Sequence, residues 1–412
     1  MSQPAPDCPS HRRWRILMIA PTGFFADYGC HVRIQGHALA LQARGHQVLL
    51  ATYPGGREVA GITTVRPSLW GRDREMPVGS SWRKFVLDGL LAPVAWRAAR
   101  DWRPDIVHAY LHEGALLGAV LPGVRRLPLV FDFQGSLVSE MVDHRFLAAR
   151  SPWRPAWQRL ETWIDRQPQA VLASSQHAVT LLRTHFAVPA ARVHHLADSI
   201  DPQQFRPAHM LSAPALTALR DQLGLPPGRP VVVYLGLLAP YQGIDLLLHA
   251  ARRLLAGERH APRPFFLIMG FPHVAHYRAL AARLGLAHDV LLTGAIPFAQ
   301  APAYLALGQV AVAPKISATE GSGKLLAYMA AGLPVAAFDA AVHREILADL
   351  GVYAPVGDVD GLADGIARLL YDPAYAWSLG AALRQRVIAH FTWDHAVAVI
   401  ESTYAQIAPK AD

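Results

Sequence analysis

The 412-residue chain predicts an α/β fold of two doubly wound, Rossmann-like parallel sheets facing each other across a cleft. Three observations lead there. Short apolar runs alternate with segments of helical spacing almost from end to end, the pattern of parallel strands covered by helices on both faces. The alternation restarts near Val231, after a stretch over 201–230 rich in proline and polar residues. Hydrophobic residues make up 52% of the chain and charged residues 17%, which suits sizeable buried cores and excludes a disordered chain.

Strands are expected in the first half at 16–20, 47–52, 63–65, 106–109, 127–132, 170–173 and 193–196, with helical spacing over 32–44 and 176–185 between them. In the second half they are expected at 231–235, 265–269, 290–292, 310–313 and 335–338, with a helix over 244–255. Trp393, Val397, Ile400 and Tyr404 share one face of a closing amphipathic helix over 393–407. The expected division is a flexible tail at 1–13, one unit at 14–205, a second at 206–390, and a last helix at 391–412 that returns to the first unit. Two such sheets in tandem put a ligand crevice at the carboxyl ends of their strands.

Cys8 and Cys30 cannot form a disulfide framework, and no run reaches the roughly 18 apolar residues of a membrane span, so a reducing, cytoplasmic setting is expected. The net charge of +8 is uneven: residues 1–205 carry 23 Lys/Arg against 16 Asp/Glu, leaving 16 against 15 in the rest. Such a basic half attracts phosphate, nucleic acid or anionic lipid, or simply reflects arginine-rich usage on a solvated surface. Trp82, Arg83, Phe85, Trp96, Arg97 and Arg100, then Trp153, Arg154, Trp157, Arg159 and Trp163, mix aromatics and bases at helical spacing. These stretches suit peripheral contact with the inner face of an anionic membrane; packing on a sheet is the plainer reading.

Four segments are candidates for chemistry. The turn from Pro21 to Gly29 and Cys30 follows the first strand and opens a helix, where backbone N–H groups receive anions; it lacks the GxGxxG spacing of a dinucleotide site. His112 lies just beyond the strand at 106–109, in an expected loop, while His108 within the strand reads as core. Asp132, Gln134 and Ser136 flank Gly135 at a strand end, suited to substrate hydroxyls or to turn chemistry. The richest stretch runs from Lys315 through Glu320, Gly321, Ser322, Gly323 and Lys324 to Leu325. Its glycines precede an expected helix at 325–331 and form an anion cradle beside a carboxylate, with Lys324 adding charge. It fails the P-loop template, because Leu325 follows the lysine where Ser or Thr is required. No HExxH, CxxC or other metal-ligand spacing is present, and no metal or cofactor is expected.

In order along the chain, these residues resemble the family-4 glycosyltransferases of the GT-B fold. Gly45-His46-Gln47-Val48 resembles the family's GH-x-V, and Pro104 through His108 its PD-hydrophobic-hydrophobic-H. Ile200-Asp201 through Phe205-Arg206-Pro207 is similar to V-D…F-x-P, and Tyr234-Leu235-Gly236 with Gly243-Ile244-Asp245 resembles the opening of the donor half. Tyr328 through Val335 is close to the end of E-A-M-A-x-G-x-P-V.

The resemblance implies retaining, metal-independent transfer of a sugar from a nucleotide diphosphate sugar. The donor would bind the second half at Gly236, Gln242, Glu320, Gly321, Ser322, Gly323, Lys324 and Leu325, reaching Gly29 and Cys30. His112, Asp132 and Gln134 would line the acceptor side with Glu320 as the sugar-orienting carboxylate. A glycan, lipid-linked or small-molecule acceptor is expected, and no nucleic acid. The chain departs from the family pattern at four positions: Leu237 and Gln242 stand where an arginine and a lysine usually hold the diphosphate, Ala327 where a glutamate holds the ribose, and Gln134 where a histidine is usual. Lys324, and secondarily Lys315, are the expected replacements. The alternative these departures favour is a non-catalytic sugar- or nucleotide-binding partner on the same fold.

Overall fold

The computed structural model describes residues 12–27, 29–68, 81–143, 146–148, 150–257, 262–317 and 321–408. Glu320 and all but two residues of the tail 1–13 lie outside the described residues. Seven parallel strands form the first sheet: β1 (Arg15–Ala20), β2 (Gln47–Thr52), β3 (Thr63–Val65), β4 (Ile106–Tyr110), β5 (Leu129–Phe133), β6 (Ala170–Ala173) and β7 (Val193–His195). Their spatial order is β3-β2-β1-β4-β5-β6-β7. Six more form the second: β8 (Val231–Leu235), β9 (Phe265–Met269), β10 (Val290–Gly294), β11 (Val310–Ala313), β12 (Val335–Phe338) and β13 (Val352–Ala354), in the order β10-β9-β8-β11-β12-β13.

The central strands are mostly apolar because both faces are covered. In β1, Leu17 and Ile19 enter one core cluster while Ile16, Met18 and Ala20 enter the cluster on the opposite face. In β8, Val231 and Val233 divide from Val232 and Tyr234 in the same way.

Five helices of the first unit bear on the site: α1 (Gly29–Ala43), α2 (Trp82–Trp102), α3 (Leu111–Val120), α4 (Leu137–Asp143) and α5 (Arg154–Arg166). The expected loop at His112 is therefore the first turn of α3, entered through Leu111 at φ 58°.

Strand order reverses between β1 and β4 in one sheet and between β8 and β11 in the other. A crevice opens at the carboxyl ends of strands at such a reversal. The turns after β1, β4 and β8, together with the 321–323 turn, line one cavity. The two units also touch around it. The Phe298 amide donates to Asp27 Oδ1 at 2.9 Å, Ser317 Oγ to Asp143 Oδ2 at 3.2 Å, and the Gln176 amide to Glu345 Oε2 at 2.9 Å.

The helix Trp393–Ile407 lies on the first unit. Val397, Ile400 and Tyr404 are buried with Trp14 and Ile16, and Tyr404 OH is 2.7 Å from His108 Nδ1. A Cβ on Gly36 of α1 would stand 2.1 Å from the Trp393 ring, so only glycine admits that crossing. Ile200 and Phe205, which a boundary at residue 205 gives to the first unit, pack in a core of the second.

Candidate active site

A cavity of about 390 Å³ runs between the two units. One wall comes from the second. Gly236 follows β8 with φ 151°, and a Cβ there would meet Lys324 Nζ and Tyr234 OH, each at 3.1 Å. The bare backbone lets the Lys324 ammonium lie beside the chain. Its Nζ donates to Gln242 Oε1 at 2.6 Å and to Tyr234 OH at 3.0 Å, and stands 4.4 Å over the Tyr234 ring. Gln242 and Leu237 hold the positions where the family pattern has cations; Lys324, from the start of the helix Lys324–Ala330, carries an ammonium to the side chain of Gln242.

Ser322 lines the same wall; its buried Oγ has no hydrogen-bond partner among the described residues. The fully buried Lys315 donates to the Gly321 carbonyl at 3.2 Å. Gly243, in the left-handed region at φ 74°, presses against the Pro314 carbonyl, where a Cβ would stand 1.9 Å from the oxygen; this locks the turn carrying Gln242 to the end of β11.

The first unit supplies the other wall. Gly29 and Cys30 open α1 at the cavity. Burial pushes the Cys30 thiol up to about 12, so it stays protonated and is no nucleophile. His31 Nδ1 accepts from the Ala26 amide at 2.6 Å, its Nε2 meets Thr22 Oγ1, and burial holds the ring neutral, near 3. Gln134 reaches the cavity with Nε2 unpartnered among the described residues. Lys84 pairs with Glu113 at 2.6 Å on the same wall.

Three expected site residues are placed differently. Asp132 is fully buried and takes no part in the cavity lining. Both its oxygens accept from Arg33, Nε to Oδ1 at 3.0 Å and Nη2 to Oδ2 at 2.9 Å, because a buried carboxylate needs a paired cation. Leu325 is buried in a core cluster, and its amide donates to the Ser322 carbonyl at 2.9 Å, so it offers a ligand nothing. His112 edges the cavity but is nearly buried between Phe131 and Phe133, with Nε2 3.3 Å from Asp165 Oδ1 and 3.7 Å from Glu161 Oε1. Burial pulls its pKa down, yet the Asp165 and Glu161 carboxylates more than reverse this and hold it at about 9. Such an imidazolium is a poor base for an acceptor hydroxyl.

Sequence reasoning missed Arg33 and Asp198. Arg33 of α1 lines the cavity and donates through Nη1 to Asp198 Oδ1 at 2.9 Å as well as to Asp132. Asp198 Oδ2 is 3.0 Å from where a Cβ on Gly321 would stand, and 3.1 Å for Gly323. The glycines thus admit the carboxylate of the first unit. No local motif marks either residue, since the contact joins α1, the end of β5 and the segment after β7.

Two tandem Rossmann-like units with their switch points on one shared cleft define a GT-B architecture, and solved structures agree. Sucrose-phosphate synthase from Thermosynechococcus elongatus superposes with a TM-score of 0.78 at 21% identity, over 96% of this chain and 99% of that one. HepE from Anabaena, in complex with UDP and glucose, superposes at 0.74 with 16% identity, over 96% and 100%. The model for Glycosyltransferase Family 4 matches residues 29–204, and that for Glycosyl transferases group 1 matches 229–372. The chain belongs to the family-4 glycosyltransferases of the GT-B fold.

Among curated relatives, the GDP-mannose-dependent alpha-(1-6)-phosphatidylinositol monomannoside mannosyltransferase of Mycolicibacterium smegmatis is 31% identical over 216 residues, 50% of this chain and 54% of that enzyme. The alignment thus spans about half the length of that relative. The 2-deoxystreptamine N-acetyl-D-glucosaminyltransferase of Streptomyces fradiae is 28% identical over 361 residues, 83% and 82% of the two chains.

Proposed function

We propose that this protein is a retaining glycosyltransferase that moves a sugar from a nucleotide diphosphate sugar, held by the second unit, to an acceptor held by the first. The observation that carries the reading is the Lys324 ammonium, set against Gly236, Gln242 and Tyr234 on the wall that also bears Ser322. It puts one cation where a donor diphosphate requires charge, although both usual donor cations are missing. Family membership and the UDP complex of HepE support the same assignment.

In the reaction, the bond from the sugar's anomeric carbon to the β-phosphate oxygen breaks as the acceptor oxygen bonds to that carbon on the same face. The acceptor proton passes to the leaving phosphate. Lys324 and Ser322 receive the diphosphate, Glu320 orients the sugar, and Gln134 offers an amide to the acceptor. Closure between the units keeps water from the donor. The transfer itself uses no metal cofactor, because Lys324 carries the charge.

The acceptor we favour is lipid-linked. Trp82 and Trp153 are 73% and 70% exposed, Phe85 and Val86 are exposed too, and Arg83, Arg154 and Arg159 neighbour them in sequence and are also exposed. Lys84 and Leu87 of the same helix α2 line the cleft, so this aromatic, basic face adjoins the acceptor wall. It suits an anionic membrane surface. No helix among the described residues is long and apolar enough to cross a membrane.

The second reading, a binding partner without catalysis, is favoured by Leu237 and Ala327, which line the cleft without polar side chains. Incubation with a panel of nucleotide sugars separates the two. Release of nucleoside diphosphate supports transfer, whereas tight binding without turnover over days supports the partner.

A further inference from the structure

Behind the acceptor wall, α3 and α5 bring together three ionisable groups that the proposed transfer does not use. Glu161 and Asp165 are four residues apart on α5 and so share one helix face. His112 meets them from the first turn of α3. Both carboxylates are fully buried and the imidazole is 4% exposed. Neither Asp165 oxygen accepts a hydrogen bond among the described residues, and His112 Nε2 makes none, although it stands within 3.3 Å of Asp165 Oδ1 and 3.7 Å of Glu161 Oε1. The ring nitrogen is thus close to two oxygens and aligned with neither.

A buried carboxylate with no donor on either oxygen is costly, and an imidazolium leaves this trio with a net negative charge in an apolar pocket walled by Phe131 and Phe133. A divalent cation facing a neutral imidazole and two carboxylates brings the sum to zero. Metal–ligand bonds of about 2.0–2.1 Å in a tetrahedron set neighbouring ligand atoms roughly 3.3–3.4 Å apart; Asp165 Oδ1 stands at that distance from His112 Nε2, and Glu161 Oε1, at 3.7 Å, has to close by a few tenths of an ångström.

We propose that His112, Glu161 and Asp165 form a binding site for a divalent transition metal, with zinc the best match to one imidazole nitrogen and two carboxylate oxygens. Glu161 ties the ion to the acceptor wall, since its two oxygens accept the Leu137 and Val138 amides at the start of α4, at 2.8 and 3.1 Å. The ion pins α3, α4 and α5 together and takes no part in donor chemistry. The other buried trio, His37, His108 and Asp132, lacks this property because Arg33 already takes both Asp132 oxygens.

The test is metal analysis of the full chain by plasma mass spectrometry, followed by chelation and reloading with Co²⁺. The site predicts one equivalent of zinc per chain, a melting temperature lowered by chelator and restored by zinc, and visible d–d absorption from Co²⁺. In Asp165→Asn, Co²⁺ affinity falls by about tenfold or more. Should that chain not fold, His112→Gln serves the same comparison. No metal above background together with a melting temperature indifferent to zinc and chelator overturns the proposal and leaves an ion-pair triad. So does an equivalent of metal kept undiminished in the variant.

Discussion

Replacing Lys324 by alanine removes the ammonium that lies against Gly236 and Gln242. Nζ makes contacts of 2.6 Å to Gln242 Oε1 and 3.0 Å to Tyr234 OH, and it faces the Tyr234 ring. A charge-assisted hydrogen bond of this kind contributes roughly 1.5–3 kcal/mol. At about 1.4 kcal/mol per tenfold, nucleoside diphosphate affinity should fall by roughly 10- to 100-fold. Folding stability should change little, by about 1 kcal/mol or less, since the lost contacts lie at a half-buried cleft surface. Titration calorimetry with the nucleoside diphosphate that binds the wild-type chain, at low and moderate salt, measures the first quantity, and urea unfolding the second. Lys324→Arg should recover only part of the affinity, because the slot beside Gly236 is fitted to a slender amine. A dissociation constant within twofold of wild type in Lys324→Ala means that the donor phosphate is held elsewhere.

Arg33→Gln should destabilise the chain by about 3–5 kcal/mol, because it leaves the buried Asp132 carboxylate without its cation; urea unfolding reads this, and a loss below about 1 kcal/mol contradicts it. Acid should unfold the protein early. Burial lowers His31 and His108 to about 3 and His343 to about 4, and places His37 well below its ordinary value. These bases are depressed in the folded state, so their contribution is complete above about pH 6.5 and is lost as pH falls. Near pH 5 each imidazole costs about 2 kcal/mol, and the urea midpoint should drop steeply between pH 6.5 and 5; a flat midpoint there contradicts the burial of these rings. Trp82→Ala with Trp153→Ala should reduce sedimentation with phosphatidylserine vesicles at low salt by about tenfold or more while leaving the melting temperature within a few degrees; undiminished sedimentation removes the proposed lipid face.

What was legible in the sequence was what local patterning encodes. Largely apolar runs such as 47–52 and 231–235 are strands because both faces of a parallel sheet are covered, which suits mostly apolar side chains. The three-residue edge strand Val352–Ala354 has no counterpart among the expected strands, although the equally short Thr63–Val65 does. The helical start at His112 was hidden because Leu111 enters it at positive φ, which nothing about leucine announces. Lys324 was found through its neighbouring glycines, yet its partners Tyr234 and Gln242 come from the far end of another strand-helix unit. Asp132 looked like a substrate ligand because it ends a strand. Its real partner, Arg33, lies 99 residues away, and pairing across that distance leaves no trace in spacing. The same is true of His112, Glu161 and Asp165, which no ligand motif connects until α3 and α5 pack.

Glycosyl transfer in this cleft is tested most directly by following nucleotide sugars with proton NMR in the presence of the full chain and phospholipid-linked or glycan acceptors. The expected outcome is that one nucleotide sugar is consumed, that nucleoside diphosphate is released, and that the product keeps the donor's anomeric configuration, with the rate reduced strongly in Lys324→Ala. A folded wild-type chain that neither binds nor consumes any nucleotide sugar contradicts it.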